Sequence, residues 1–249
     1  MVRRARRNRY SVSVLGHRLR AYVRPDGFDP LSVSGLQFWL DADDESTFTY
    51  SSGTLVSQWD DKSGNARHVI QATGSAQPSR SHLYGARTTV EFNGTSTNMT
   101  TAVSSAVNQP HTILAVAASH VGASTSLARI LYNRTGALVQ LDISENSSLV
   151  SFYGGSAYRN QGTVPAANTL QQLTAIGNGV TSRAWGNNNA GVEGNSGTST
   201  LQLANIGSVA GGGGWLSGDI AEILVYNTAL STGDREAVQT YLKDKWGTP

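Results

Sequence analysis

The sequence predicts an all-β protein built from two packed antiparallel sheets with one C-terminal helix. Short apolar runs recur along the 249 residues, and they are separated by clusters of glycine, asparagine, serine and threonine that favour turns. Charged residues make up only 14% of the chain. The chain has no run of about eighteen apolar residues, so the sequence predicts no membrane-spanning helix. The chain contains no cysteine, which excludes a disulfide framework, a thiolate metal site and a cysteine nucleophile.

The N-terminal segment differs in charge from the rest of the chain. Residues 1–24 contain no acidic residue and eight arginines, which are Arg3, Arg4, Arg6, Arg7, Arg9, Arg18, Arg20 and Arg24. The remaining residues carry 11 basic against 17 acidic side chains. A turn-rich segment follows the last of these arginines. We therefore predict a basic N-terminal arm and linker over residues 1–30 and one β-sandwich domain over residues 31–249.

Three functions are open for this arm. Clustered arginines can bind nucleic acid through its phosphates, and a basic run can also direct a protein to the nucleus. Residues 10–24 alternate in polarity as a strand does, which instead favours an arm that lies on an acidic surface of a neighbouring protein and adds strands to its sheet. We favour this third function, because strand-like alternation accompanies the charge. The acidic body of the chain also disfavours nucleic acid. The segment also lacks the apolar core of a secretory signal.

Strand-like patterns occupy most of the predicted domain. The candidate strands are residues 36–40, 89–92, 112–118, 128–132, 138–143, 149–153, 170–176, 181–185, 201–206 and 218–226. The last of them is apolar on both faces, which predicts a central strand. Ser231 then caps a helix that ends at Gly247. The apolar stripe of this helix consists of Ala237, Val238, Tyr241, Leu242 and Trp246.

Four sequence motifs carry a resemblance to a known family. They are GLQFWLDAD at 35–43, WDDKSGN at 59–65, VEFNG at 90–94, and GDIAEILVYNTALS at 218–231 followed by YLKDKWG at 241–247. In this order they resemble the laminin-G-like domains of the concanavalin A-like jelly-roll superfamily. The resemblance implies a two-sheet antiparallel jelly-roll sandwich. It does not imply one function, because lectins, adhesins, glycosidases and phage-virion modules share this fold.

An acidic cluster offers a candidate metal site. Asp41, Asp43 and Asp44 could supply oxygen ligands to Ca²⁺, an ion that several members of the superfamily bind. Turn capping by these carboxylates explains the cluster equally well. We expect no other cofactor. The histidines show no metal-ligand spacing and are interpreted as ordinary surface or turn residues; they are His17, His68, His82, His111 and His120.

The acids of the last strand do not predict catalysis. A glycosidase needs two carboxylates that face each other across a cleft, and Asp219 and Glu222 are the nearest equivalent here. Three positions separate them, so on a regular strand they point to opposite faces. We therefore expect a protein that is not an enzyme.

These features together predict a non-enzymatic structural protein of a virus particle, namely a capsid decoration, neck or tail component of a tailed bacteriophage. It would be made in the host cytoplasm, would not be exported by a signal peptide, and would bind other virion proteins through its arm, in several copies or as a homo-oligomer.

The alternative is a carbohydrate-binding lectin or adhesin at a cell surface. Its sugar-contacting face would consist of Trp185, Asn187, Asn188 and Trp215, because exposed aromatic rings stack on sugars and amides bond their hydroxyls. The two roles are compatible if the displayed face contacts host surface glycans.

Overall fold

A computed structural model describes residues 27–101, 106–121, 128–132, 138–143, 148–163, 167–203, 205–209 and 213–249. The eight arginines of the predicted arm lie outside the described residues, which begin within the predicted linker at residue 27. Over the described ranges the protein is an all-β body with one α-helix at its C-terminus, as the sequence predicts.

The first nine strands are β1 (Leu36–Asp41), β2 (Phe48–Ser52), β3 (Leu55–Trp59), β4 (Val69–Ile70), β5 (Ser79–Tyr84), β6 (Arg87–Asn93), β7 (Met99–Thr101), β8 (Ala106–Val107) and β9 (His111–Ser119). The next ten are β10 (Arg129–Tyr132), β11 (Gln140–Ile143), β12 (Ser148–Tyr153), β13 (Tyr158–Thr163), β14 (Gln171–Gly177), β15 (Arg183–Gly186), β16 (Asn189–Ala190), β17 (Leu201–Gln202), β18 (Asn205–Ile206) and β19 (Ser217–Tyr226). The helix is α1 (Thr232–Trp246), and short 3₁₀ helices lie at Pro30–Ser32, Glu45–Thr47, Gly74–Ala76 and Gly179–Thr181.

The sheet is more continuous than the sequence predicts. Seventeen strands form one hydrogen-bonded antiparallel network, and β8 pairs separately with β17. Strand β7 pairs with both β4 and β18, and β18 also pairs with β10. These pairings join the regions that would otherwise be two separate sheets, so the body closes on itself in the manner of a barrel. The prediction of two distinct sheets is therefore only partly confirmed.

Strand β19 is the centre of this sheet. It pairs with β9 along one edge, and with β1 and β6 along the other. All its residues from Gly218 to Tyr226 are buried, which confirms the central position that its apolar faces predict.

A β-bulge in β19 changes the direction of its side chains. Ile220 lies opposite Ala117 of β9, whereas Glu222 lies opposite the next residue, Val116. Ala221 is therefore an extra residue that reverses the alternation of faces. As a result Asp219 and Glu222 point to the same face of the sheet, and the prediction that they point to opposite faces is wrong.

Helix α1 packs over β9 and β14. It covers the face of the sheet to which Asp219 and Glu222 point, which we call the outer face. Its N-cap is Ser231, whose hydroxyl accepts the Asp234 backbone N–H, and it ends at Gly247 with φ 66°; both ends agree with the sequence prediction. Gln239 anchors the helix, because its carbonyl accepts a hydrogen bond from Gln172 Nε2 (2.7 Å) and its side chain donates to Thr174 Oγ1 (3.1 Å). No helix in the described ranges has both the length and the apolar character needed to cross a membrane.

Candidate functional site

A buried ionic cluster lies on the outer face of the sheet, beneath α1. The Glu222 carboxylate is fully buried, and it accepts hydrogen bonds from Trp39 Nε1 (2.7 Å), Tyr241 Oη (2.9 Å), Lys245 Nζ (2.8 Å) and Trp246 Nε1 (2.7 Å). Burial raises the pKa of Glu222, an effect that Lys245 opposes. Because four donors surround this carboxylate and the helix covers it, Glu222 supports the fold and is not accessible to a substrate.

Asp41 is the second acid of the cluster. Its carboxylate accepts hydrogen bonds from Lys245 Nζ (2.6 Å) and Lys62 Nζ (2.8 Å). Burial by itself raises the pKa of Asp41, but the two ammonium groups outweigh it and hold this pKa below its usual value. Lys245 thus bridges Asp41 and Glu222 and fixes the C-terminal turn of α1 to the sheet.

The predicted Ca²⁺ ligands are held by cationic side chains. Asp43 pairs with the Arg87 guanidinium, Asp44 pairs with Lys62 Nζ (2.8 Å) and Asp41 with both lysines. Asp44 also caps the turn that follows it, by accepting the Ser46 backbone N–H. Calcium prefers six to eight oxygen ligands, whereas these three carboxylates face ammonium and guanidinium groups. In the structure these carboxylates form ion pairs, and Asp44 also caps a turn, as the alternative explanation expects.

A second polar cluster lies on the same outer face, beyond α1. The fully buried Asp219 accepts a hydrogen bond from Thr89 Oγ1 (2.9 Å) at Oδ1 and one from Tyr84 Oη (3.1 Å) at Oδ2. The same Oδ2 lies 2.8 Å from His82 Nδ1 and 2.6 Å from His120 Nε2. Sequence reasoning missed this cluster, because its two histidines are separated along the chain and meet only through strand pairing.

An open groove of about 490 Å³ lies at one end of the strands. Its lining residues are Asn108, Gln109, Pro110, Asn178, Gly179, Val180, Thr198 and Thr200. Gln109 ties the three loops together: it donates to the carbonyls of Gly197 (3.0 Å) and Ser199 (3.3 Å) and accepts the Gly179 backbone N–H (2.7 Å). The groove is therefore a preformed feature of these loops. The sequence signals only their turn-forming composition.

The predicted sugar-contacting residues do not lie in this groove. Trp185 is only 5% exposed, and the Arg235 guanidinium covers its ring at 4.6 Å. Asn187 accepts the Gln172 backbone N–H (2.9 Å), and both Asn187 and Asn188 have positive φ in the turn between β15 and β16.

Trp215 lies in another part of the molecule. It is half-buried and precedes β19. Strand pairing places Trp185 level with Leu114 of β9, whereas the start of β19 is level with Ser119. These levels are about 17 Å apart along the sheet. The four predicted residues therefore do not form one binding face.

Comparison of the sequence with protein-family models and with curated proteins finds no match. Comparison of the fold with solved structures finds similarity to carbohydrate-active enzymes. A Trypanosoma rangeli sialidase in complex with sialic acid matches with TM-score 0.54 and 12% identity, over 87% of this chain and 34% of the sialidase. The chain thus spans about a third of the length of that protein.

Two further structures match at similar levels. A GH54 α-L-arabinofuranosidase soaked with 4-nitrophenyl α-L-arabinofuranoside gives TM-score 0.56 and 15% identity, over 83% of this chain and 58% of that one. Domain 4 of AbnA, a GH43 extracellular arabinanase from Geobacillus stearothermophilus in complex with arabinotriose, gives TM-score 0.55 and 12% identity, over 80% of this chain and 96% of that domain. At these identities the matches show a shared all-β fold.

These matches correct two predictions. The expected function, a virion structural protein or a cell-surface lectin, is contradicted, because the structures that share the fold are glycosidases and their domains. The prediction that the protein is not an enzyme is contradicted by the same finding. The function prediction depended in part on an analogy within a fold that has many functions. The enzyme prediction depended on a side-chain alternation that the bulge at Ala221 breaks.

Proposed function

We propose that this protein is a carbohydrate-binding domain of the kind that works with carbohydrate-active enzymes, and that the groove binds a short neutral oligosaccharide. The observation that carries the proposal is the lining of the groove. The described residues that line it offer amide and hydroxyl side chains, a proline, a glycine and a valine, and none of them is charged.

This composition suits a neutral sugar. Amide and hydroxyl groups donate and accept the hydrogen bonds that sugar hydroxyls require. Val180, which is 70% exposed, offers an apolar surface to the C–H face of a pyranose or furanose ring. The volume of about 490 Å³ lies within the range of small-molecule sites. An anionic sugar would need a cationic partner, and the lining provides none.

The comparisons support this choice of ligand. The arabinanase domain carries arabinotriose, a neutral pentose trisaccharide, and the match covers 96% of that domain. We therefore take arabinotriose as the first ligand to test, and the anionic sialic acid as the contrasting one.

We also infer that the finer architecture is a jelly-roll sandwich whose two sheets are joined at their edges. The arginine-rich arm is proposed to bind an acidic surface of a partner protein.

Isothermal titration calorimetry tests the proposal. Arabinotriose should bind with a saturable heat and sialyllactose should not. Asn178→Ala and Thr198→Ala, at two exposed positions of the lining, should each weaken binding about 5- to 10-fold by removing one hydrogen-bonding group. Thr49→Ala is the matched control, since Thr49 is exposed on β2 outside the groove, and it should bind as the unmodified protein does. Equal affinities in all three variants would place the sugar elsewhere.

A further inference from the structure

The three side chains His82, His120 and Asp219 converge on one point of the outer face, and we call them the histidine cluster. One nitrogen of each histidine and one carboxylate oxygen lie within 4.8 Å of one another. Both nitrogens approach the same oxygen, Asp219 Oδ2, at 2.8 and 2.6 Å. Two imidazole nitrogens and one carboxylate oxygen form one of the protein ligand sets that zinc sites with an open fourth position use.

We propose that the histidine cluster binds a divalent transition metal ion, with Zn²⁺ as the best fit. Imidazole nitrogen suits zinc, copper and nickel, whereas Ca²⁺ prefers a shell of oxygens. This proposal is independent of sugar binding in the groove, because no residue of the cluster lines the groove.

Strand pairing explains how the cluster forms. Asp219 of β19 lies opposite Glu91 of β6, and it also lies opposite Ala118 of β9, two residues before His120. The pairing of β5 with β6 shifts between Arg80 and His82, so His82 faces the side of Asp219 while Arg80 faces the other side. Strands β5 and β19 and the residue directly after β9 therefore each contribute one ligand.

The supporting contacts fit a metal site. Thr89 Oγ1 donates to Asp219 Oδ1, which orients the carboxylate so that Oδ2 faces the two histidines. Glu91 Oε1 lies 4.0 Å from His120 Nδ1, the ring nitrogen that does not face Asp219, and places a second carboxylate near the cluster.

The charge of the histidine cluster and its exposure to solvent also favour the binding of a cation. With neutral imidazoles the two carboxylates Asp219 and Glu91 supply two negative charges, which balance one divalent ion. The side chains of His82 and His120 are 38% and 22% exposed, while that of Asp219 is fully buried. A zinc ion with bonds of about 2.0–2.2 Å requires ligand atoms about 3.3 Å apart. The two imidazole nitrogens lie 2.8 and 2.6 Å from Asp219 Oδ2, so the partly exposed rings would shift when the ion binds.

Zinc titration of the full-length protein tests the proposal. One Zn²⁺ per chain should bind, and either His82→Ala or His120→Ala should weaken the affinity at least 10-fold. His68→Ala is the matched control, because the His68 side chain is 35% exposed and lies 3.0 Å from one carboxylate, Asp60, outside the cluster; its affinity should not change. The melting temperature of each variant without metal confirms folding. Equal zinc affinity in the cluster and control variants would overturn the proposal.

A spectroscopic measurement on the unmodified protein keeps the test decisive if a variant fails to fold. Cobalt(II) at a four-coordinate site of nitrogen and oxygen ligands absorbs visible light far more strongly than hydrated cobalt. The proposal predicts these bands at one equivalent, their loss on addition of Zn²⁺ and their persistence with excess Ca²⁺. A spectrum that stays that of the hydrated ion would contradict it.

Discussion

At the scale of single residues, the protein places charge in its interior where opposite charges and donors surround it. Lys245 is 4% exposed and contacts both Asp41 and Glu222. The sequence suggests a cation near the end of a helix, where it interacts favourably with the helix dipole. It does not show that this lysine turns inward, because the position of the two acids depends on strands that are distant in sequence.

The first prediction concerns this lysine. Lys245→Met leaves two buried carboxylates without their shared cation, and the free energy of unfolding should fall by about 3–5 kcal/mol. Lys243→Met is the control on the same helix, because Lys243 is exposed, and its effect should stay within about 0.5 kcal/mol. Urea denaturation measures both variants. Equal values for the two would show that the ionic cluster does not hold the helix.

The second prediction concerns His111, which is fully buried. Burial lowers the pKa of His111 to about 4, from an ordinary value of 6.5. Between these values the unfolded chain binds a proton that the folded protein does not. Stability is therefore complete above pH 6.5 and falls as the pH decreases toward 4, by up to about 3 kcal/mol.

The variant His111→Leu should lose this part of the pH dependence, whereas His68→Leu, at a half-exposed position, should retain it. Urea denaturation at several pH values between 4 and 7 measures the effect. An unchanged slope in His111→Leu would assign the acid sensitivity to other groups.

At the scale of elements, strands and helices with a regular apolar pattern can be predicted from the sequence, whereas polar strands and β-bulges cannot. The apolar strands β9, β14 and β19 and both ends of α1 follow from alternation and capping residues. Strands β2 to β5 were not predicted, because their side chains are mostly polar and half-exposed. The bulge at Ala221 also escapes prediction, because register is set by pairing with β9 and not by the sequence of β19 alone.

The third prediction concerns the close contact of β19 with β9. A Cβ atom added at Gly218 would lie 2.1 Å from the Ala118 carbonyl oxygen, whereas one added at Gly74 would meet nothing within 4 Å. Gly218→Ala should therefore destabilise the protein by about 2 kcal/mol or more, while Gly74→Ala should be neutral or slightly stabilising. Thermal unfolding compares them, and similar melting temperatures would show that β19 can move away from β9 at little cost.

At the scale of the whole molecule, charge is divided between the arm and the β domain. The all-β class and the C-terminal helix were predictable from the sequence. The proposed binding groove was not, because it is assembled by loops whose residues have no distinctive motif. Removing residues 1–24 removes eight arginines and changes the formal net charge from +2 to −6.

The fourth prediction follows from this division. The shortened protein should bind an anion exchanger at pH 7 and should keep its affinity for arabinotriose, because the proposed groove lies between residues 108 and 200. Chromatography and calorimetry measure the two properties. Loss of sugar binding on removal of the arm would show that the arm, and not the groove alone, forms the site.

The most direct test of the proposed function is a titration of the protein with arabinotriose followed through its backbone amide chemical shifts. We expect saturable shifts that concentrate at residues 108–110, 178–180 and 198–200, the segments that contain the groove lining. No saturable shift at these residues, or shifts concentrated around Trp215 instead, would contradict the assignment of the groove as a carbohydrate site.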